Sequence, residues 1–212
     1  MNQAQGTRSQ RFFARWYPAM MKRVEDAGQA DIRARNLAPA TGRTLDLGTG
    51  NGFSVRHYPP SVSELVMLEP NPALRAKLQQ HTADIRARAW QIVDGDAYAL
   101  PFDDESFDTV GASLVFCSLA KPAAALEEVA RVLKPGGAFL FHEHVRGTGL
   151  RRVVQEAITP LQKRIADGCH PNRDFEGELR RSPLTIEHIE HLRMPSGPSP
   201  VVPMVEGRAV KG

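Results

Sequence analysis

Two hydrophobic rhythms divide the chain near residue 40. Upstream, Phe12, Phe13, Trp16, Tyr17, Met20, Met21 and Val24 recur at helical spacing, with Arg11, Arg15, Lys22 and Arg23 between them. This predicts a helical segment over residues 1–40. Pro18 should break or kink it, because proline lacks an amide hydrogen and clashes with the preceding turn. Ala38–Gly42, APATG, reads as a loop. Downstream, short apolar runs alternate with amphipathic stretches. Strands are predicted over Arg43–Gly48, Glu64–Pro70, Trp90–Asp96, Ser106–Phe116 and Ala138–Val145. Asn71 should cap a helix whose first residue is Pro72. A second helix should run from Pro122 to Lys134, with Leu126, Val129, Ala130 and Leu133 on one face, and stop at the turn Pro135–Gly137. The tail reads as a helix over Leu150–Asp167, a loop DGCHPNRD (Asp167–Asp174), a strand over Pro183–Met194, a turn-rich link Pro195–Pro200, and a closing strand Met204–Gly212.

Strands that alternate with helices imply an α/β fold with a parallel sheet covered on both faces. Right-handed crossovers then bring the loops after the strands to one edge, where ligands of such sheets bind. A length of 212 residues suits one domain, residues 41–212, with residues 1–40 as a helical lid. The composition, 42% hydrophobic and 24% charged, excludes a disordered chain. The longest nearly apolar stretch, Val110–Ala120, is far too short to span a bilayer, so no integral membrane segment is expected. The opening MNQAQGTRSQ has no apolar secretory region, which points to the cytoplasm. Net charge is only +3. The densest basic stretch, Arg8 to Arg23, reads as a solvated helix face, with peripheral contact to an anionic membrane surface as the alternative. No nucleic-acid partner is expected, since no long basic arm is present. The oligomeric state is left open.

The distinctive residues all follow predicted strands. In LDLGTGNG, Gly48, Gly50 and Gly52 let the backbone take positive φ and approach a ligand closely. The segment after them offers amide hydrogens to an anion. Asp46 can hold this loop or reach a ligand's amino group through water. Glu69 ends the second strand nineteen residues beyond Gly50, where a carboxylate reads the two hydroxyls of a ribose. Asp96, after the third strand, can accept from an adenine amino group. A nicotinamide-dependent oxidoreductase would share the glycines and the ribose acid. Its usual G-x-G-x-x-G spacing differs from the G-x-G-x-G found here.

Together, LDLGTGNG, MLEPNP, GDAYALPFDDESFD and RVLKPGG resemble the class I S-adenosylmethionine-dependent methyltransferases of the ubiquinone/menaquinone-methylase-like superfamily, over roughly Arg43 to Val145. The resemblance implies a Rossmann-like, seven-stranded, mostly parallel sheet with an antiparallel last strand, helices on both faces and an N-terminal helical lid. It implies S-adenosyl-L-methionine as cofactor. Gly48, Gly50 and Gly52 would shape the methionine end. Glu69, followed by Pro70, would take the ribose, Asp96 with Ala97 the adenine, and Ser113 and Leu114 would border the methionyl group. HYPP (His57–Pro60), SLVFCSL (Ser113–Leu119), HEHV (His142–Val145), DGCHPNRD and GRAVKG are similar to the branch that includes the alkyl thiol methyltransferases, which implies a small lipophilic thiol as acceptor. Anchored members begin with a long hydrophobic helix that this chain lacks, and the tail from Glu178 departs from the pattern.

Candidate general bases on the substrate side are Glu143, His144 and His170. A thiol is already a few per cent thiolate at neutral pH, so sulfur needs such a base less than oxygen does. Among His142, His144, Cys169 and His170 no pair has finger-like ligand spacing, and no metal is expected. Cys117 reads as a buried apolar residue. Trp16 or Tyr17 is the candidate lid residue. The expected activity is methyl transfer to a small molecule, at a thiol or alternatively at O, N or C of a quinone- or lipid-like acceptor. A nicotinamide-dependent oxidoreductase and a non-catalytic cofactor-binding protein are the rivals.

Overall fold

The structure, a computed structural model, describes residues 8–166, 168–195 and 203–212. Its strands are β1 (Gly42–Leu47), β2 (Val62–Leu68), β3 (Ala89–Val93), β4 (Phe107–Ser113), β5 (Leu133–His144), β6 (Leu184–Arg193) and β7 (Pro203–Lys211). Among the described residues these form one seven-stranded sheet in the order β3-β2-β1-β4-β5-β7-β6. β1 to β5 pair in parallel, and β7 runs antiparallel to both β5 and β6. The chain moves outward from β1 to β2 and β3, then crosses to β4 and β5 on the other side. The order therefore reverses between β1 and β4, and a crevice is expected beyond their carboxyl ends.

Alternation along the strands gives the sheet two apolar faces. Leu45, Leu47, Val66, Leu68, Val110, Phe139 and Phe141 pack with Leu126 and Val129 of α4 (Pro122–Val132) and Phe175 and Leu179 of α6 (Phe175–Arg181). Leu65, Met67 and Leu140 point the other way, against Leu37 of α2 (Ala30–Leu37) and Leu78 of α3 (Pro72–Leu78). Asn71 caps α3 as anticipated, its Oδ1 accepting from Ala73 N at 3.0 Å.

Several boundaries differ from the sequence reading. Pro18 does not break the first helix; α1 runs from Arg8 to Val24 through it. Phe13 and Tyr17 on one side of Pro18 and Met21 and Val24 on the other are seated on the body of the protein, and this packing carries the missing ladder bond. The break falls instead at Gly28, with φ of 120°, inside a π-type turn Glu25–Gln29. Pro135–Gly137 is not a turn before β5 but part of its first half. The pairing of β4 with β5 shifts register there, from Phe107↔Leu133 to Thr109↔Ala138, and Gly136 takes the left-handed conformation of the bulge. Asp167 and the link residues 196–202 lie outside the described residues, as do residues 1–7.

Among the described residues no helix is long and apolar enough to cross a membrane. Arg11, Arg15, Lys22 and Arg23 are exposed on α1. α5 (Gly149–Ile165) exposes Leu150, Val153, Leu161 and Ile165.

Candidate functional site

A crevice opens where the strand order reverses, lined by Gly48–Asn51 after β1, Ser113 and Leu114 at the end of β4, and Tyr17 and Arg33 from the N-terminal helices. Asp46, Phe53 and Ser54 complete the lining. The loop after β1 turns through Gly48, Gly50 and Gly52, with φ of 65°, 64° and 95°. A side chain at Gly48 would strike Val115, and one at Gly52 would strike Leu78. Gly50 faces open space, so its demand for glycine comes from its backbone alone.

Three buried carboxylates organise this edge. Asp46 accepts from Ser54 Oγ at 2.6 Å and from Tyr58 OH at 2.9 Å, so it holds the loop. Burial raises its carboxyl pKa, against those two hydrogen bonds. Glu69 accepts from Gly50 N and Asn71 N, each at 2.8 Å, tying the glycine turn to the end of β2. Glu143 accepts from Val115 N at 2.7 Å, Phe116 N at 3.0 Å and Cys117 N at 3.2 Å. Burial lifts its pKa to about 7, while the three amides work to keep it ionised. Leu114, just before those amides, donates its own N–H to His142 O at 2.8 Å and is a non-glycine residue with φ of 61°.

The other anticipated residues divide. Gly48, Gly50, Ser113, Leu114 and Asp46 border the crevice. Gly52, Glu69, Pro70, Asp96 and Ala97 lie outside its lining. Pro70 and Asp96 are exposed, Asp96 accepting from Tyr98 N, and Ala97 is packed in the core. His170 accepts from Arg173 at Nδ1, and burial and Arg173 lower its pKa. His142 is buried against Gln29, its pKa well depressed by burial. His144 lies beside Cys169, and its Nε2 has no hydrogen-bond partner. Of the two proposed lid aromatics, Tyr17 reaches the crevice and Trp16 packs near Leu74 and Ala73 of α3.

Sequence reasoning missed Arg33 and Glu25. They form a buried ion pair at 2.8 Å, with Arg33 Nε and Glu25 Oε2 unpartnered. ADIRARNL reads as an ordinary exposed helix, and nothing in it marks which arginine turns inward. Cys117 was also missed as a neighbour of Cys169 and His144, because three separate segments bring them together.

The sequence profile of a family described as Methyltransferase domain matches residues 45–141. Thiol S-methyltransferase TMT1B of Rattus norvegicus is 34% identical over 171 residues, covering 79% of this chain and 70% of that protein. A demethylmenaquinone methyltransferase of Clavibacter sepedonicus is 36% identical over 111 residues, 51% of this chain and 44% of its own. The crystal structure of an S-adenosylmethionine-dependent methyltransferase from Thermotoga maritima shares the fold, with a TM-score of 0.68 at 21% identity, over 95% of this chain and 99% of that one.

Glu143→Ala would leave three amide hydrogens without their acceptor. Each hydrogen bond to a charged group contributes about 1.5–3 kcal/mol, and the three are not additive. Urea unfolding should show a loss of about 3 kcal/mol or more; a loss under about 1 kcal/mol would show that the carboxylate does not organise this loop.

Proposed function

The chain belongs to the S-adenosylmethionine-dependent methyltransferase family, and from that premise we propose that it methylates the sulfur of a small lipophilic thiol. The observation that carries the thiol reading is the 171-residue similarity to a thiol S-methyltransferase. It covers 79% of the chain, more than the matched domain, residues 45–141. Similarity to the demethylmenaquinone methyltransferase covers only 51% of the chain, which makes a quinol acceptor the lesser reading. A cytoplasmic location suits two free, buried cysteines.

The residues present fit the cofactor. The crevice offers donors that an amino acid carboxylate needs, a buried arginine with an unpartnered Nε and an orphaned Ser113 Oγ, and the turn at Gly50 leaves room for close approach. We assign Arg33 and the Gly48–Asn51 loop to the methionine end, with Ser113 and Leu114 beside it. Glu69 is assigned to the ribose, and Asp96 with Ala97 to the adenine. The sulfonium supplies a methyl group that is already electrophilic when the cofactor is bound.

The protein's own task is then alignment and exclusion of water. Well-oriented intramolecular reactions gain about 7–11 kcal/mol from positioning. Glu143 positions rather than transfers protons, because both of its oxygens accept backbone hydrogen bonds. Arg173 engages Nδ1 of His170, so the neutral ring carries its hydrogen on Nε2 and has no free lone pair. His144 keeps a buried ring nitrogen, Nε2, without a hydrogen-bond partner. A site so poor in free bases favours an acceptor that ionises readily, and a thiol with pKa near 8.5 does so. The segment 1–40 acts as the lid, with Tyr17 as its contact on the crevice.

The test is transfer of a labelled methyl group to a panel of small thiols, alcohols, amines and quinols. Label should appear on thiols. Label on quinols alone would replace this reading with the lesser one, and no label anywhere would leave a non-catalytic binding protein. Glu69→Ala should weaken cofactor binding by about 1.5–3 kcal/mol in calorimetry, and wild-type affinity would remove the ribose role. Tyr17→Ala should raise the Michaelis constant of the acceptor severalfold with the fold intact; an unchanged value would remove the lid.

A further inference from the structure

One cluster of reactive side chains lies outside the crevice lining. Cys117 stands on the loop after β4, His144 ends β5, and Cys169 stands on the loop before α6. Two thiol sulfurs and one imidazole nitrogen, all from buried residues, lie within 4.8 Å of one another. Cys169 Sγ is 4.0 Å from His144 Nδ1, and His144 Nε2 has no partner. The backbone fixes each member, His144 through its pairing with Met204 of β7. Cys117 N donates to Glu143, Cys117 O accepts from His170 N at 2.7 Å, and Cys169 N donates to Ala166 O at 2.9 Å.

The donor set discriminates among uses. Thiolate and imidazole are the ligands of zinc-like ions, and hard oxygen-seeking cations avoid them. Bonds of about 2.0–2.3 Å around a tetrahedral ion put its ligands about 3.5–3.8 Å apart. The observed 4.0 Å between Cys169 and His144 needs only a small side-chain adjustment to reach that spacing. A disulfide would join two members and leave the buried imidazole without a role. Two thiolates also cancel the charge of a divalent ion, which removes the main cost of burying it.

We propose that Cys117, His144 and Cys169 form a binding site for a soft divalent cation of the zinc type, held by two thiolates and one imidazole nitrogen. Binding releases the thiol protons to solvent and involves no change of oxidation state. Among the described residues no fourth cysteine, histidine or carboxylate joins the group. One tetrahedral position is therefore left for water or another small ligand, as in zinc sites that take exogenous ligands. The ion would fasten the β4 loop, the end of β5 and the loop before α6 to one another. Glu143 already secures the first of these through the Cys117 amide, as an outer partner of the site.

Cobalt substitution of the full-length protein tests the site. Reduced, chelator-treated protein is titrated with Co²⁺. One equivalent should give thiolate-to-cobalt charge-transfer absorption and the intense d–d bands of a tetrahedral ion, and Zn²⁺ should bleach both. Cys117→Ser and Cys169→Ser should each weaken the charge-transfer band. Absence of these bands from wild-type protein whose two thiols remain titratable would overturn the proposal. Full-strength bands in both serine variants would overturn it too, as would recovery of the two cysteines as a disulfide from metal-free protein purified without reductant. The wild-type spectrum decides the matter even if a variant misfolds. No readout depends on methyl transfer, so the ion site and the thiol reading stand or fall separately.

Discussion

Where a parallel sheet ends, the chain turns away and its amide hydrogens leave the ladder with nothing to bond. Buried amides cannot be left so. At the edge between β1, β2, β4 and β5 the protein meets this constraint with carboxylates. Glu69 takes the amides of Gly50 and Asn71, and Glu143 takes those of Val115, Phe116 and Cys117. Asp46 does the same for the hydroxyls of Ser54 and Tyr58. Glu69 and Glu143 each reach from the end of one strand to a loop that follows another, and Asp46 holds the segment after its own strand. Charge-assisted bonds thus help to set loop shape at this edge.

That arrangement decides where chemistry can happen. A carboxylate committed to two or three donors holds geometry well, and its oxygens face those donors rather than a substrate. Burial makes the ionised form of Asp46 and Glu143 costly and raises their pKa values, and the hydrogen bonds work against that rise. What remains open toward the crevice is polar backbone, one buried arginine and one hydroxyl. This is an environment for binding and aligning.

The sequence disclosed the parts of this picture that are local. Runs such as Leu45–Leu47, Val66–Leu68 and Phe139–Phe141 announce strands because both faces are covered. The three glycines, the Asn71–Pro72 helix start and the acid at 69 lie at strand ends for reasons visible within a few residues. The misread features depend on distance. Pro18 sits inside a helix because aromatic and methionine side chains on both sides of it are packed on the body of the protein. Pro135–Gly137 became a bulge because β4 lies alongside to receive it. Arg33 is buried by its partner Glu25 and by the turn at Gly28, and its neighbours in sequence give no hint of this. The Cys117, His144 and Cys169 cluster draws on three segments, so no spacing rule could assemble it.

The far side of the sheet raises a different matter. β6 is its outermost strand, and Glu187, His188, Glu190, His191 and Arg193 stand exposed along it. The pairing with β7 skips a residue between Ile186 and His188, and Gly207 fits opposite, where a Cβ would collide with His188 O. A passing strand from another molecule would meet a kinked ladder fringed with like and unlike charges that resist dehydration. The rim of the sheet that carries no ligand groups is in this way built against fibrous self-assembly during synthesis and crowding.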